Sequence, residues 1–196
     1  MGHSQVEKQR THERIVEIAA KRLREEGLEG VGVADLMKEA GLTVGGFYKH
    51  FASRDELVAE AMDAAFRGWE KRLAEKGITP VEVGAADYIA SYLSTRHRDD
   101  PGEGCAFGAL NGELARSDAK TREIATERMK INIDVMADRL GGKDSVAARS
   151  KAILTLSAMA GAVGFARIAT DPALSEEILK SVTTMLQDMV PTKSDA

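Results

Sequence analysis

Apolar residues in this chain recur every three or four positions rather than every second one, and only four prolines interrupt its 196 residues. That spacing belongs to helices with one buried face, not to half-buried strands, so an all-α fold is expected. From Gln5 to Glu26, Ile15, Ile18, Ala19 and Leu23 share a face, and Gly27 follows as a C-cap. Val33 to Ala40 forms a short helix with Leu36 and Met37 inward, closed by Gly41. Val44 to Phe51 forms another, with Thr43 placed as its N-cap. Ser53 caps the next helix and Glu56 completes a capping box; the pattern then runs to about Glu75 through Leu57, Val58, Ala61, Met62, Ala65, Phe66 and Trp69. Gly77 and Pro80 break the chain. Further helices are expected near 81–98, 105–116, 118–140, 145–169 and 175–190, about nine in all, before a polar tail "PTKSDA".

Short helices at the start and a larger bundle behind them divide the chain into an N-terminal domain over 8–68 and a second over 69–192. The division lies inside the helix that begins near Ser53, so the two parts are joined mechanically. Charge is divided as well. The chain carries a net −4, yet residues 1–54 hold nine Lys/Arg against eight Asp/Glu. Between Ala40 and Arg54 there is no acid, while Lys49, His50 and Arg54 are present. A local electropositive spot on an acidic body suits an anionic partner that touches one end.

The lone Cys105 excludes a disulfide framework within the chain and fits a reducing compartment. The N-terminal "MGHSQVEKQRTHER" has no apolar core and is not a signal peptide. The uncharged run from Ala152 to Ala166 falls short of the ~20 residues of a membrane span. A cytoplasmic protein without a membrane partner is expected.

The stretch "EAGLTVGGFYKHF" (39–51) sets Gly45 and Gly46 inside a helical pattern, although glycine weakens a helix by ~1 kcal/mol relative to alanine. A short helix, a Gly-containing turn and a second short helix make a helix-turn-helix, whose second helix enters the major groove N-terminus first. Bare glycine lets backbone approach DNA closely. Tyr48, Lys49 and His50 offer hydroxyl, ammonium and imidazole donors to phosphate, and Phe47 and Phe51 form the inward face. The competing reading is a helical hairpin whose glycines only permit tight packing.

Residues 10–62, from "RIVEIAAKRLREEGLEGVGVADLMKEAGLTVGGFYKHF" through "ASRDELVAEAM", resemble the N-terminal domain of the TetR/AcrR family of transcriptional repressors. The resemblance implies that Thr43, Tyr48 and His50 clamp phosphates, and that Val44, Gly45, Gly46 and Lys49 lie against bases or the adjacent backbone. Val31-Gly32 replaces a Thr or Ser that the family often has before its second helix, and Val44 stands where a Lys is frequent. The resemblance further implies a double-stranded DNA operator, a homodimer and a small-molecule effector, apolar or aromatic.

In the larger domain Met62, Phe66, Trp69, Tyr88, Tyr92, Phe107, Asn111 and Met136 are candidate effector-lining residues, with plain core as the alternative for each. In "GCAFGALNGELA" (104–115), Phe107, Leu110 and Leu114 share a face with Asn111 at its edge, where a buried amide needs a partner. Cys105 falls at the start of that helix and is either a redox-sensing thiol or a packing residue. The stripe Ile178, Val182, Met185, Leu186 and Met189, with the Ala/Gly-rich "AILTLSAMAGAVGFARIA", suits a four-helix interface between subunits or the closing of the monomer's own core.

Nucleophile elbow, phosphate loop and metal spacing are all missing from the sequence, and His3, His12, His50 and His97 are scattered. No enzyme, metal or cofactor is expected. A ligand-responsive dimeric repressor is the reading; a helical carrier with an incidental helix-turn-helix, or a cysteine-based electrophile sensor of the same fold, are the alternatives.

Overall fold

The computed structural model describes residues 2–142 and 144–190, with side chains from Gln5 onward. The tail, residues 191 and 192 of the expected second domain and the His3 side chain lie outside the described residues. Among the described residues the structure is helical without strands: α1 (Gly2–Glu26), α2 (Val33–Glu39), a 3-10 helix (Val44–Lys49), α3 (Arg54–Glu75), α4 (Ala85–Tyr92), α5 (Thr95–Asp99), α6 (Ala106–Arg116), α7 (Ala119–Arg139), α8 (Val146–Ile168) and α9 (Pro172–Gln187). Two further 3-10 turns cover Pro80–Glu82 and Pro101–Glu103.

Three local expectations are corrected. Val44–Lys49 winds as a 3-10 rather than an α-helix, with Gly46 N–H on the Thr43 carbonyl and His50 N–H on that of Phe47. Two glycines in six residues remove the propensity that favours the α form, and a short 3-10 helix is the tighter substitute. Thr43 occupies the N-cap position in extended conformation, but its side chain makes no cap bond. The single helix expected over 81–98 is two, because Ser94 starts a new one: its hydroxyl accepts from His97 N–H at 3.2 Å. Ser53 does cap α3, accepting from Glu56 N–H at 3.1 Å, while the Glu56 carboxylate accepts from Ala52 N–H.

The chain forms two compact units. The first comprises Met1–Gly68 and Gly102–Thr121, the second Trp69–Pro101 and Arg122–Ala196. The first break falls within α3, and α6 groups with the N-terminal residues. Inside the first unit the reason is a set of polar ties. Arg24, 8% exposed, donates from Nε to the Gly102 carbonyl at 2.6 Å and from Nη1 to that of Ala65 at 3.4 Å. Glu113 of α6 accepts from Leu28 N–H, just beyond the end of α1, at 2.6 Å.

In the second unit Ala85, Met136, Ala137, Leu140, Ala148 and Ala152 form a core, with Tyr88, Ile133, Leu156 and Val190 against it. α8 is long and apolar enough to cross a membrane by length and composition. Its face made by Ala148, Ala152, Thr155, Met159, Ala162, Val163 and Ala166 is buried, and it packs on α9.

His97 in this unit donates from Nδ1 to the Tyr92 carbonyl at 2.6 Å and meets the Tyr92 ring edge-on at 4.4 Å. Burial pushes its pKa down, only partly opposed by that hydrogen bond, and Arg167 and Arg72 push the same way. With the folded pKa below the unfolded one, the unfolded chain takes the proton first, so stability falls as pH drops through the ordinary histidine range. The thermal midpoint, measured by calorimetry, is expected to be lower at about pH 5.5 than at about pH 7.5. In His97→Gln that difference is expected to narrow.

Candidate nucleic-acid interface

Everything at this interface belongs to the first unit. α2 ends in a tight reversal: Leu42 N–H donates to the Met37 carbonyl at 2.8 Å and Gly41 N–H to that of Lys38 at 3.0 Å. Gly41 supplies the positive φ, +69°, that this closure requires. Thr43 then leads extended into the 3-10 helix. α2 is entered through Gly32 without a side-chain cap, as the Val31-Gly32 sequence implies.

The 3-10 helix is fixed from below. Phe47 and Phe51 are 2% and 1% exposed, with ring centroids 5.4 Å apart. His12 of α1 stacks on Phe51 at 4.5 Å. Arg14 of α1 donates to the Ala40 carbonyl at 2.6 Å, tying α1 to the end of α2.

Above this platform the surface is open. Tyr48 is 76% and Val44 51% exposed; Thr43, Gly45 and Lys49 are exposed, and Gly46 and His50 half-buried. A Cβ added at Gly45 would meet nothing within 4 Å, and its φ is not in the left-handed region. The fold therefore has no use for glycine at 45, although glycine there weakens the helix.

The nearby charges sort by whether they are already occupied. Glu39, the single acid of the 39–51 stretch, is paired with Arg22 at 2.6 Å. Arg54, counted above with the electropositive spot, is turned inward: Nε donates to the Val31 carbonyl at 3.1 Å and Nη2 to that of Leu28 at 3.0 Å. His50 Nδ1 is buried without a hydrogen-bond partner. Burial, then His12, Lys8 and Lys49, lower the His50 pKa. His12 itself donates from Nε2 to Glu60 of α3 at 2.7 Å.

The thirteen-residue stretch showed the exposed donors and glycines but not the His12–Glu60 pair behind them. Those two are 48 residues apart and carried no local signal.

The candidate effector residues fall into both units. In the first, Phe66 and Phe107 rings lie 4.7 Å apart, Met62 is fully buried, and Asn111 is exposed on α6, so its amide needs no buried partner. In the second, Trp69 meets Tyr88 edge-on at 4.8 Å, Tyr88 lies 6.1 Å from Tyr92, and Met136 is part of the core. Arg139 covers this run, 5.5 Å from the Trp69 ring centroid and 5.0 Å from that of Tyr88. Cys105 stands half-buried at the N-cap of α6, with no side-chain cap bond. Among the described residues no cluster of three or more His, Cys, Asp or Glu is arranged to hold a metal.

A family model described as bacterial regulatory proteins, tetR family, matches residues 15–61, which include α2, the turn and the 3-10 helix. The transcriptional repressor KstR2 of Mycobacterium tuberculosis is 30% identical over 87 residues, 42% of this chain and 43% of that protein. The chain thus spans less than half the length of that curated relative. An uncharacterized HTH-type transcriptional regulator of the same organism, Rv0196, is 25% identical over 93% of this chain and 97% of its own. The crystal structure of reduced NemR from E. coli shares the fold, with a TM-score of 0.73 at 20% identity, over 94% of this chain and 98% of that one.

Two substitutions separate platform from surface. Phe51→Ala is expected to destabilise the protein by about 3–5 kcal/mol in denaturant unfolding, as a buried aromatic with a stacked neighbour is lost. Gly45→Ala is expected to leave stability unchanged or raise it by up to about 1 kcal/mol.

Proposed function

We propose that this chain, a member of the TetR family of bacterial regulatory proteins, is a transcriptional repressor that binds a palindromic operator as a homodimer. A small effector, apolar or aromatic, releases it. The observation that carries the DNA reading is Gly45: a helix-weakening residue, exposed, unused by the fold, on a segment otherwise rigidly mounted. A close approach of backbone to a duplex accounts for it.

Roles then follow the exposed groups. Thr43, Tyr48, Lys49 and His50 anchor backbone phosphates. Val44 offers methyls to a thymine, and Gly45 and Gly46 let the segment lie deep. With so few side chains available for bases, specificity leans on half-site spacing and DNA shape.

Dimerisation is supported by faces that the protomer leaves unused. On α8, at 100° per residue, Ile153, Gly161, Gly164 and Ile168 lie opposite the buried face, with Phe165 beside them. Phe165 and Ile168 are 65% and 75% exposed. A Cβ at Gly161 or Gly164 would meet nothing within 4 Å, so these mid-helix glycines serve no packing inside the protomer. On α9, Leu179 and Leu186 turn inward while Leu174 and Met185 are exposed. The stripe read from the sequence therefore divides: Leu186 closes the protomer, and Met185 is left for a partner. A second copy occupies both faces in a four-helix contact.

The effector reading draws on the aromatic run Trp69–Tyr88–Tyr92 under Arg139. The effector acts by binding the DNA-incompetent state more tightly; a near-complete switch needs ~5.5 kcal/mol of differential affinity. Regulation of genes in the cytoplasm, with no catalysis, completes the proposal.

The test is binding of the purified chain to duplex DNA flanking its own gene, followed by fluorescence anisotropy. Saturable, salt-sensitive binding is expected; its absence across that region contradicts the proposal. Lys49→Ala is expected to weaken binding to all sequences and reduce the salt slope by about 1 per chain. Gly45→Ala weakens binding without loss of stability. Phe165→Glu is expected to convert a dimer to monomer by light scattering at micromolar concentration and weaken operator binding with it.

A further inference from the structure

Behind the 3-10 helix, titrating groups from three segments converge. His50 closes that helix, His12 comes from α1, and Glu60 comes from α3. The His12 and His50 ring centroids lie 6.1 Å apart, and both rings contact Phe51, at 4.5 and 6.3 Å. Glu60, the acid at this cluster, is taken by His12, so it does not offset charge on His50. The groups acting on His50 are cationic or able to become so: His12 and Lys8 from α1, and Lys49 beside it. Its Nδ1 is enclosed without an acceptor, so an imidazolium here buries an unpaired N–H.

We propose that His50 is a proton-coupled phosphate anchor: neutral in the free protein, it takes up a proton as its ring meets a backbone phosphate of the operator. This rests on the reading of the first unit as DNA-binding and adds a property to it. A phosphate oxygen within hydrogen-bond reach favours the charged imidazole. A phosphate that meets Lys49 also cancels part of the repulsion that keeps the proton off. The proton comes from solvent, and one is taken up per reading head.

By linkage, a proton gained on binding makes binding tighter as pH falls. The gain begins at the pKa of the bound state and ends at the lower pKa of the free state. Between those values each proton taken up strengthens binding by up to about tenfold per pH unit, so a dimer that takes up two gains up to about a hundredfold.

The experiment measures the dissociation constant of the full-length protein for a fluorescent duplex from the region flanking its gene, from about pH 8 to about pH 6 at fixed salt. Tightening by at least about tenfold over that range is expected for the wild type. A clearly flatter profile is expected for His50→Gln, which keeps an N–H donor but does not titrate. His12→Gln removes a group that lowers the His50 pKa, so its slope is expected to lie between those of the wild type and His50→Gln. An independent arm follows the His50 ring protons by NMR against pH, with and without duplex; the titration midpoint is expected to rise on binding. Binding that is independent of pH, a slope unchanged in His50→Gln, or a midpoint that stays or falls on adding duplex overturns the proposal and leaves the DNA reading standing. Absence of binding at every pH overturns the DNA reading itself, and the proposal with it.

Discussion

The burial of Phe47 and Phe51 is the constraint on which the reading head depends. A six-residue 3-10 helix with two adjacent glycines cannot hold its own shape in water. Two aromatic side chains, four positions apart and almost fully buried, fix it against the rest of the first unit. Because the anchoring is done entirely from beneath, the upper side is free to be nearly bare. His12 over Phe51 ties the same small element to α1, and Arg14 on the Ala40 carbonyl ties the end of α2 to it.

This arrangement separates rigidity from contact. Arg22 neutralises Glu39, and Arg54 is consumed by the Val31 and Leu28 carbonyls. What is left outward is Thr43, Val44, Tyr48, Lys49 and the glycine backbone, with His50 at the edge. The second unit shows the complementary pattern on α8, where the buried face is complete and the opposite one carries glycines and large apolar residues without a role in the protomer. The family match over residues 15–61 and the shared fold agree with these two features. The operator, the dimer and the effector are the functional proposal built on them.

Much of the fold was legible because its signals are local. Gly27, Gly41 and Ser53 mark boundaries by their own backbone and side-chain chemistry, and Leu36, Met37, Phe47 and Phe51 declare their buried face by spacing. What sequence did not disclose depends on competition or on distance along the chain. The 3-10 winding of 44–49 reflects a balance that two glycines tip. The break at Ser94 reflects a hydroxyl that competes with the helix backbone. The grouping of α6 with the N-terminal residues rests on Arg24–Gly102 and Leu28–Glu113, pairs separated by 78 and 85 residues. The helical wheel placed Asn111 at the edge of a buried face, and the structure leaves it exposed. Of the site, the exposed donors were readable, while the inward turn of Arg54 and the His12–Glu60 pair behind His50 were not.

In the proposed function, the surface of residues 43–50 is what meets the operator. Amide hydrogen exchange of the full-length protein, with and without the duplex flanking its gene, measures this directly. Added protection is expected to be strongest over residues 43–51, while α1 and α3 change little. Protection that appears elsewhere while residues 43–51 exchange as in the free protein contradicts it.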